Sequence, residues 1–294
     1  MPELPEVETV VRGLERLAAG QQVQRVAVFS PRSWRVTPTE QAALLGATVV
    51  TVRRRGKLII IELNNGWSLL CHLRMTGQLV WRPHQGEAWG AGHPNESLVG
   101  TLPDNTTRVA LTLTAGTLYF NDQRKFGFML MWRTAELNNF PFIQQLGPEP
   151  LVGNPTKEFI QRIRRHAKTS VKAALLNQAV LAGVGNIYAD ESLYRARLHP
   201  ATKVEALSDD QLAALLAAVQ AVMRQSIAAG GSSLRNYVHA DGTRGDYLDL
   251  FAAVFNRTGQ PCRRCGTEII KIKVAGRGTH LCPHCQPAPR KIGQ

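Results

Sequence analysis

Residues 47–82 read ATVVTVRRRGKLIIIELNNGWSLLCHLRMTGQLVWR. Four short runs rich in branched and aromatic side chains, ATVVTV (47–52), KLIIIEL (57–63), SLLCHL (68–73) and QLVWR (78–82), succeed one another with glycine or asparagine at the joints. Runs of this length, punctuated by Gly56, Asn64, Asn65 and Gly77, predict strands rather than helices. The pattern extends to both sides, at QVQRVAVF (22–29), RVALTLT (108–114), TLYFN (117–121) and FMLMW (128–132). Eight short strands with turn residues between them predict an antiparallel β-sandwich. Between the fifth and the sixth, PHQGEAWGAGHPNESLVGTLPDN (83–105) is rich in Gly, Pro and Asn and reads as a long surface loop. Ahead of the strands, Val7, Val10, Val11, Leu14 and Leu17 recur at helical spacing from Pro5, a good first helical residue, to Gly20.

The pattern changes at NNFPFIQQLGPEPLVGNP (138–155), whose Pro and Gly content predicts a linker. Helices are expected beyond it at KEFIQRIRRHA (157–167), SVKAALLNQAVL (170–181), NIYADESLYRA (186–196) and DDQLAALLAAVQAVMRQSIAA (209–229). Ser208 and Gln211 form a capping box at the start of the last, and Gly230-Gly231 is its stop. GGSSLRNYVHADGTRGDY (230–247) is expected to be a mobile loop. Within LAGVGN (181–186) the third glycine of a dinucleotide fingerprint would fall on Tyr188, and a helix rather than a strand precedes the motif. No nucleotide cofactor is therefore expected; the stretch offers a tight turn and a helix start near Asn186 whose N–H groups suit an anion.

The chain has 294 residues, about two domains' worth. Thirty-five Lys and Arg against 22 Asp and Glu leave a charge of +13. Such a field favours polyanions, nucleic acid ahead of an anionic membrane surface. Residues 257–294 concentrate it, with eight basic residues and the single acid Glu268. The same segment holds Cys262, Cys265, Cys282 and Cys285, spaced C-x2-C-x16-C-x2-C, the pattern of a tetrahedral structural Zn2+ site. Two disulfides are the competing reading, but the opening has neither a cationic n-region nor an apolar h-region, so a reducing, cytoplasmic setting is expected. His280 and His284 lie near enough to compete as ligands, although four thiolates already complete the site. Cys71, in LLCHL, is expected to be a buried thiol. No apolar stretch reaches the roughly 18 residues of a membrane helix.

The opening MPELPEVETV places Pro2, Glu3 and Glu6 at the first turn of a helix. Capping alone accounts for the acids, since the helix dipole favours negative charge there. Chemistry offers a second account. Removal of Met1 would expose Pro2 as a secondary amine. An α-amine has a pKa of about 7.7–8.0, against about 10.4 for lysine, so it holds far more free base at neutral pH. Attack of that amine on a sugar C1′ would leave a charged iminium, an electron sink for later elimination, with Glu3 moving protons and Glu6 supporting it.

MPELPEVETV, RRRGKL, HLRMTG, DQRKFG, LGPEPL, GVGNIYADE and the C-terminal cysteine element together resemble bacterial formamidopyrimidine-DNA glycosylases, nearly end to end. The resemblance implies an α+β fold with an N-terminal β-sandwich domain over residues 1–135, a linker over 136–152, a helical helix-two-turn-helix DNA-binding domain over 153–250 and a zinc-finger hairpin over 251–290, with DNA lying across the cleft between the domains. It implies a monomeric base-excision enzyme that removes oxidised purines such as 8-oxoguanine and formamidopyrimidines from duplex DNA, then cuts the strand by β,δ-elimination. Carried onto this chain, it makes Pro2 the nucleophile, Glu3 the acid/base, Glu6 its support and Lys57 an aid to catalysis that holds a phosphate. His72, Asn186 and Arg277 would grip the DNA backbone. The damaged nucleotide must leave the stack, and Met75, Arg124 and Phe126 would fill the space, Arg124 facing the orphaned cytosine. Lys125 stands where the family's D-P-R-R-F-G pattern has arginine. Lesion choice is expected to depend on the 230–247 loop. Two other readings stay open: an endonuclease VIII-like enzyme for oxidised pyrimidines, whose usual opening PEGPE differs at Leu4, and a non-catalytic zinc-containing DNA-binding protein.

Overall fold

The computed structural model describes residues 2–93, 97, 100–231 and 247–289. They divide into two compact units, one drawn from Met1–Gln144 and Ala229–Asp246, the other from Gln145–Ala228 and Tyr247–Gln294.

In the first unit, helix α1 (Leu4–Ala18) buries Leu4, Val7, Val10, Val11, Leu14 and Ala18, the face its spacing predicts. Strand β1 (Val23–Val28) and the short helix α2 (Pro38–Leu44) follow, and Thr37 with Glu40 forms the capping box of α2. Next come β2 (Val49–Arg55), β3 (Leu58–Leu63), β4 (Trp67–His72), β5 (Gly77–Pro83), β6 (Trp89–Gly92), β7 (Thr107–Leu113), β8 (Gly116–Asp122) and β9 (Phe128–Arg133). They form two antiparallel sheets, ordered β1-β7-β8-β5-β6 and β2-β3-β4-β9. Ile59 and Ile61 of β3 join the main core, which also holds Val7, Leu79, Val109 and Phe120. Leu58 and Ile60, pointing the other way along the same strand, pack with Leu70, Leu137 and Phe140. Leu137 lies in a 3-10 turn (Thr134–Asn139), which leads through Phe140 to helix α3 (Pro141–Gln144). A strand buried on both faces explains the uninterrupted apolar run LIII.

All eight expected strands occur. The ninth, β6, corrects the reading of 83–105 as surface loop: Trp89 and Ala91 are buried, and Trp89 pairs with Trp81 of β5. WGAG is too short and too rich in glycine to look like a strand, and its pairing to β5 and packing on α1 make it one. A Cβ on Gly13 of α1 would fall 2.1 Å from the Trp89 ring.

The second unit carries α4 (Thr156–Arg164), α5 (Val171–Leu176), α6 (Asn186–Arg195) and α7 (Asp209–Ala228). At α7 the expected capping box is present, Ser208 N–H donating to Gln211 Oε1 (2.8 Å) and Gln211 N–H to Ser208 Oγ (3.2 Å). Helix α5 stops at Leu176, short of the expected 181. Asn177 Oδ1 accepts the Ala179 N–H (3.0 Å), while the Gln178 side chain accepts from Gly183 N–H (2.9 Å) and donates to Val184 O (2.8 Å). Side chains that take over backbone partners in this way end a helix. Beyond a π-helical turn at Tyr247–Phe251, strands β10 (Ile270–Val274) and β11 (Arg277–Leu281) form a hairpin through Ala275 and Gly276. Both turn residues have positive φ, as a two-residue hairpin turn of this class requires. No described helix is long and apolar enough to cross a membrane. The loop expected to choose the lesion, 230–247, lies outside the described residues over 232–246.

Candidate active site

Pro2 is buried immediately ahead of α1, followed by Glu3 at 2% and Glu6 at 7% exposure. The two carboxylates interlock as a capping box: Glu3 N–H donates to Glu6 Oε2 (2.8 Å), and the Glu6 N–H reaches the Glu3 carboxylate. Capping and chemistry therefore do not compete here. The cap holds two acids in fixed places beside the Pro2 nitrogen's own residue, which is what an acid/base group needs.

Lys57 and His72 are set by sheet register. Gly56 and Lys57 are the two-residue turn between β2 and β3, with Arg55 paired to Leu58 and Gly56 at φ 59°. Leu58 pairs with His72, and His72 with Phe128. Lys57 and His72 thus share one end of the four-stranded sheet, and both are buried (7% and 6% exposed). Burial first, then the Arg74 and Lys57 cations, pushes the His72 pKa down to about 3. Its Nδ1 accepts the Arg74 N–H (3.0 Å), so the neutral ring carries its proton on Nε2. His72 is an uncharged N–H donor beside a buried cation.

From that sheet end two loops cross to the other sheet. The β4–β5 crossover carries Met75, 38% exposed, and the β8–β9 crossover carries Arg124 and Phe126, the latter 41% exposed. Exposed large apolar groups on a basic surface suit contact with bases. The Arg124 guanidinium lies 4.7 Å from the Phe126 ring centroid and Arg32 lies 5.9 Å from it; Arg35 sits 4.2 Å and Arg74 5.6 Å from the centroid of Phe128. Sequence reasoning missed Arg32, Arg35 and Arg74. Arg32 and Arg35 lie together in SPRSWRV (30–36), far in sequence from Arg74 and from Phe126 and Phe128, and only the fold gathers them.

In the second unit Gly185 caps α6 and Asn186 is its first residue. Asn186 Nδ2 donates to Gly278 O (3.0 Å), next to Arg277 at the start of β11. The same carbonyl accepts from Lys172 Nζ (3.2 Å), which also donates to Asp190 Oδ1 (2.6 Å) and Thr279 Oγ1 (2.7 Å). Lys172 and Asp190 are fully buried. Breaking such a pair by removing one partner costs about 3–5 kcal/mol, so helices α5 and α6 hold the hairpin firmly. Asn186 and an exposed Arg277 are thereby placed together.

The four expected thiols converge, with ligand atoms within 4.8 Å of one another. Sulfur separations of 3.5 Å for Cys265–Cys282, 3.5 Å for Cys265–Cys285 and 3.9 Å for Cys262–Cys285 bracket the roughly 3.8 Å edge of a tetrahedron with about 2.3 Å metal–sulfur bonds. All are free thiols. The set fits one structural zinc ion. His280 is occupied elsewhere: its backbone N–H donates to Asp190 Oδ2 (2.9 Å) and its ring stands edge-on to Phe255. Cys71 is fully buried, and burial pushes its thiol pKa up, as expected of an inert thiol.

Known families match the chain in three consecutive pieces: the formamidopyrimidine-DNA glycosylase N-terminal domain over residues 1–129, the H2TH domain of the same glycosylases over 146–238, and a zinc finger found in FPG and IleRS over 259–288. A formamidopyrimidine-DNA glycosylase from Exiguobacterium is 40% identical over 290 residues, 97% of this chain and 99% of that protein. Among solved structures, the Lactococcus lactis enzyme bound non-covalently to DNA containing an AP site superposes with a TM-score of 0.82 at 32% identity, covering 97% of this chain and all of that one. The wild-type enzyme from the same organism, in complex with DNA containing an oxidised pyrimidine, gives 0.84 at 33% identity over 98% of this chain and all of that one. The chain belongs to the formamidopyrimidine-DNA glycosylase family.

Proposed function

We propose that this chain is a base-excision DNA glycosylase and AP lyase that removes oxidised purines from duplex DNA, with Pro2 as its nucleophile. The observation that supports this most strongly is the start of α1, where a proline precedes two buried acids locked by their own capping box. With Met1 removed, the Pro2 nitrogen forms a bond to C1′ as the bond from C1′ to the damaged base breaks, and the base leaves with the electron pair and a proton. Glu3 protonates the sugar ring oxygen as the ring opens, leaving an iminium between Pro2 and C1′. That cation draws electrons from the C2′–H bond, so loss of the C2′ proton expels the 3′ phosphate. A second elimination expels the 5′ phosphate. Lys57 and the neutral His72 hold phosphates on the first unit, Asn186 and Arg277 on the second. Met75, Arg124 and Phe126 occupy the space left by the extruded nucleotide.

Oxidised pyrimidines are the second reading, favoured by one observation: a relative from L. lactis was solved with DNA containing one. Trapping with borohydride, which reduces the iminium to a stable amine, separates the two. DNA carrying 8-oxoguanine opposite cytosine should give the faster adduct. An adduct formed only with thymine glycol would replace the purine assignment, and no adduct with either would leave a DNA-binding protein without the chemistry.

A further inference from the structure

HLRMTG and DQRKFG each contain a residue for which the proposed chemistry has no use, Thr76 and Asp122. They meet, although 46 positions separate them in the chain: Thr76 Oγ1 donates a hydrogen bond to Asp122 Oδ1. Asp122 is fully buried at the end of β8, and Thr76 is 8% exposed. The same Oδ1 accepts the Arg124 N–H (3.2 Å), which is shared with Thr76 Oγ1 (3.1 Å), and Oδ2 accepts the Gly127 N–H (2.7 Å). Below this, the Asp122 carbonyl accepts from Nε of the buried Arg108 (2.7 Å). One carboxylate therefore ties the start of the β8–β9 crossover to its end, and ties both to the β4–β5 crossover.

The two crossovers are the loops that carry Met75, Arg124 and Phe126. Each also contains a non-glycine residue in the left-handed region, Arg74 at φ 53° and Lys125 at φ 55°. Such conformations are unfavourable for a residue with a side chain and persist where neighbouring contacts over-determine them. A hydrogen-bonded carboxylate beneath both loops supplies that constraint, since charge-assisted bonds are about twice as strong as neutral ones.

We infer that Asp122 and Thr76 are positioning residues that lock the two crossovers into one rigid unit, so that Met75, Arg124 and Phe126 enter the duplex together and the base opposite the lesion is read. This inference rests on the function proposed above. It does not place either residue in contact with DNA. Because the lock serves nucleotide extrusion and opposite-base reading rather than attack at C1′, its loss separates two activities that the family chemistry otherwise couples.

Excision of 8-oxoguanine opposite cytosine and opposite adenine, and scission of a preformed abasic site, are measured under single-turnover conditions for the wild type, Asp122→Asn, Thr76→Val and Thr76→Ser. Asp122→Asn and Thr76→Val should slow excision opposite cytosine at least tenfold and shrink the preference for cytosine over adenine, while abasic-site scission stays within about threefold. Thr76→Ser, which keeps the hydroxyl, should restore excision. Parallel loss of both activities in Thr76→Val, or no loss of excision in either variant, would overturn the lock. A wild-type protein that forms no borohydride adduct would overturn the proposed function instead, so the two failures are distinct.

Discussion

His72 shows how burial selects the form in which a side chain works. A histidine on a basic DNA-binding surface is easily read as a cation, but its pKa of about 3 makes it neutral wherever the protein is folded and active. The unfolded chain takes up this proton below its ordinary value of 6.5, whereas the folded protein refuses it until about 3. Stability is fully present above 6.5 and falls as pH drops through that window, by up to about 1.4 kcal/mol per pH unit. Between pH 7.5 and 5.5 the wild type should therefore lose about 1.4 kcal/mol more unfolding free energy than His72→Gln, measured by urea denaturation. Equal losses in the two proteins would show that His72 is protonated in the fold. If His72 holds a phosphate as proposed, it does so through a neutral Nε2–H, and lowering the pH from 7.5 to 6.5 should not strengthen DNA binding through this residue.

Packing of α1 on β6 sets a second expectation. In an exposed helix Gly→Ala stabilises by about 1 kcal/mol. At Gly13 the added methyl would lie 2.1 Å from a Trp89 ring that is only 4% exposed and paired into the sheet. Overpacking of that kind costs about 1–3 kcal/mol, which outweighs the propensity. Gly13→Ala should lower the thermal midpoint, read by calorimetry, and a raised midpoint would mean that the contact yields freely. The Gly13–Trp89 contact also marks the limit of what the sequence discloses. Strands β2 to β5 were legible because each is a short run of branched and aromatic residues closed by its own turn residues, and the zinc cluster because its ligand spacing is local on both sides. Strand β6 was not, because four residues, two of them glycine, hold no period, and only pairing with Trp81 and packing on α1 make them a strand. The same holds within the site. Pro2, Glu3 and Lys57 sit in short motifs that name them, whereas Asp122 meets Thr76 only once β5 pairs with β8, and Arg35 meets Phe128 only where residues 34 and 35 run beside β9.

A chain with net charge +13 meets DNA first through its field. Affinity for duplex DNA should fall with rising salt, the logarithm of the association constant declining by about 0.9 per phosphate neutralised. Lys57→Ala and Arg277→Ala, one in each unit, should each flatten that slope by about 0.9 in a binding titration, while His72→Gln, which removes no charge, should leave it unaltered. A slope unmoved by the loss of either cation would take that residue off the DNA backbone. Much of this electrostatic capture would be shared by any basic zinc-containing protein; a covalent bond from the first residue of the processed chain would not. Borohydride reduction in the presence of DNA containing 8-oxoguanine, followed by proteolysis and mass spectrometry, locates the bond. The expected adduct is on the nitrogen of Pro2 in chains lacking Met1. An adduct mapped to a lysine, or strand scission by a preparation in which every chain retains Met1, would contradict it.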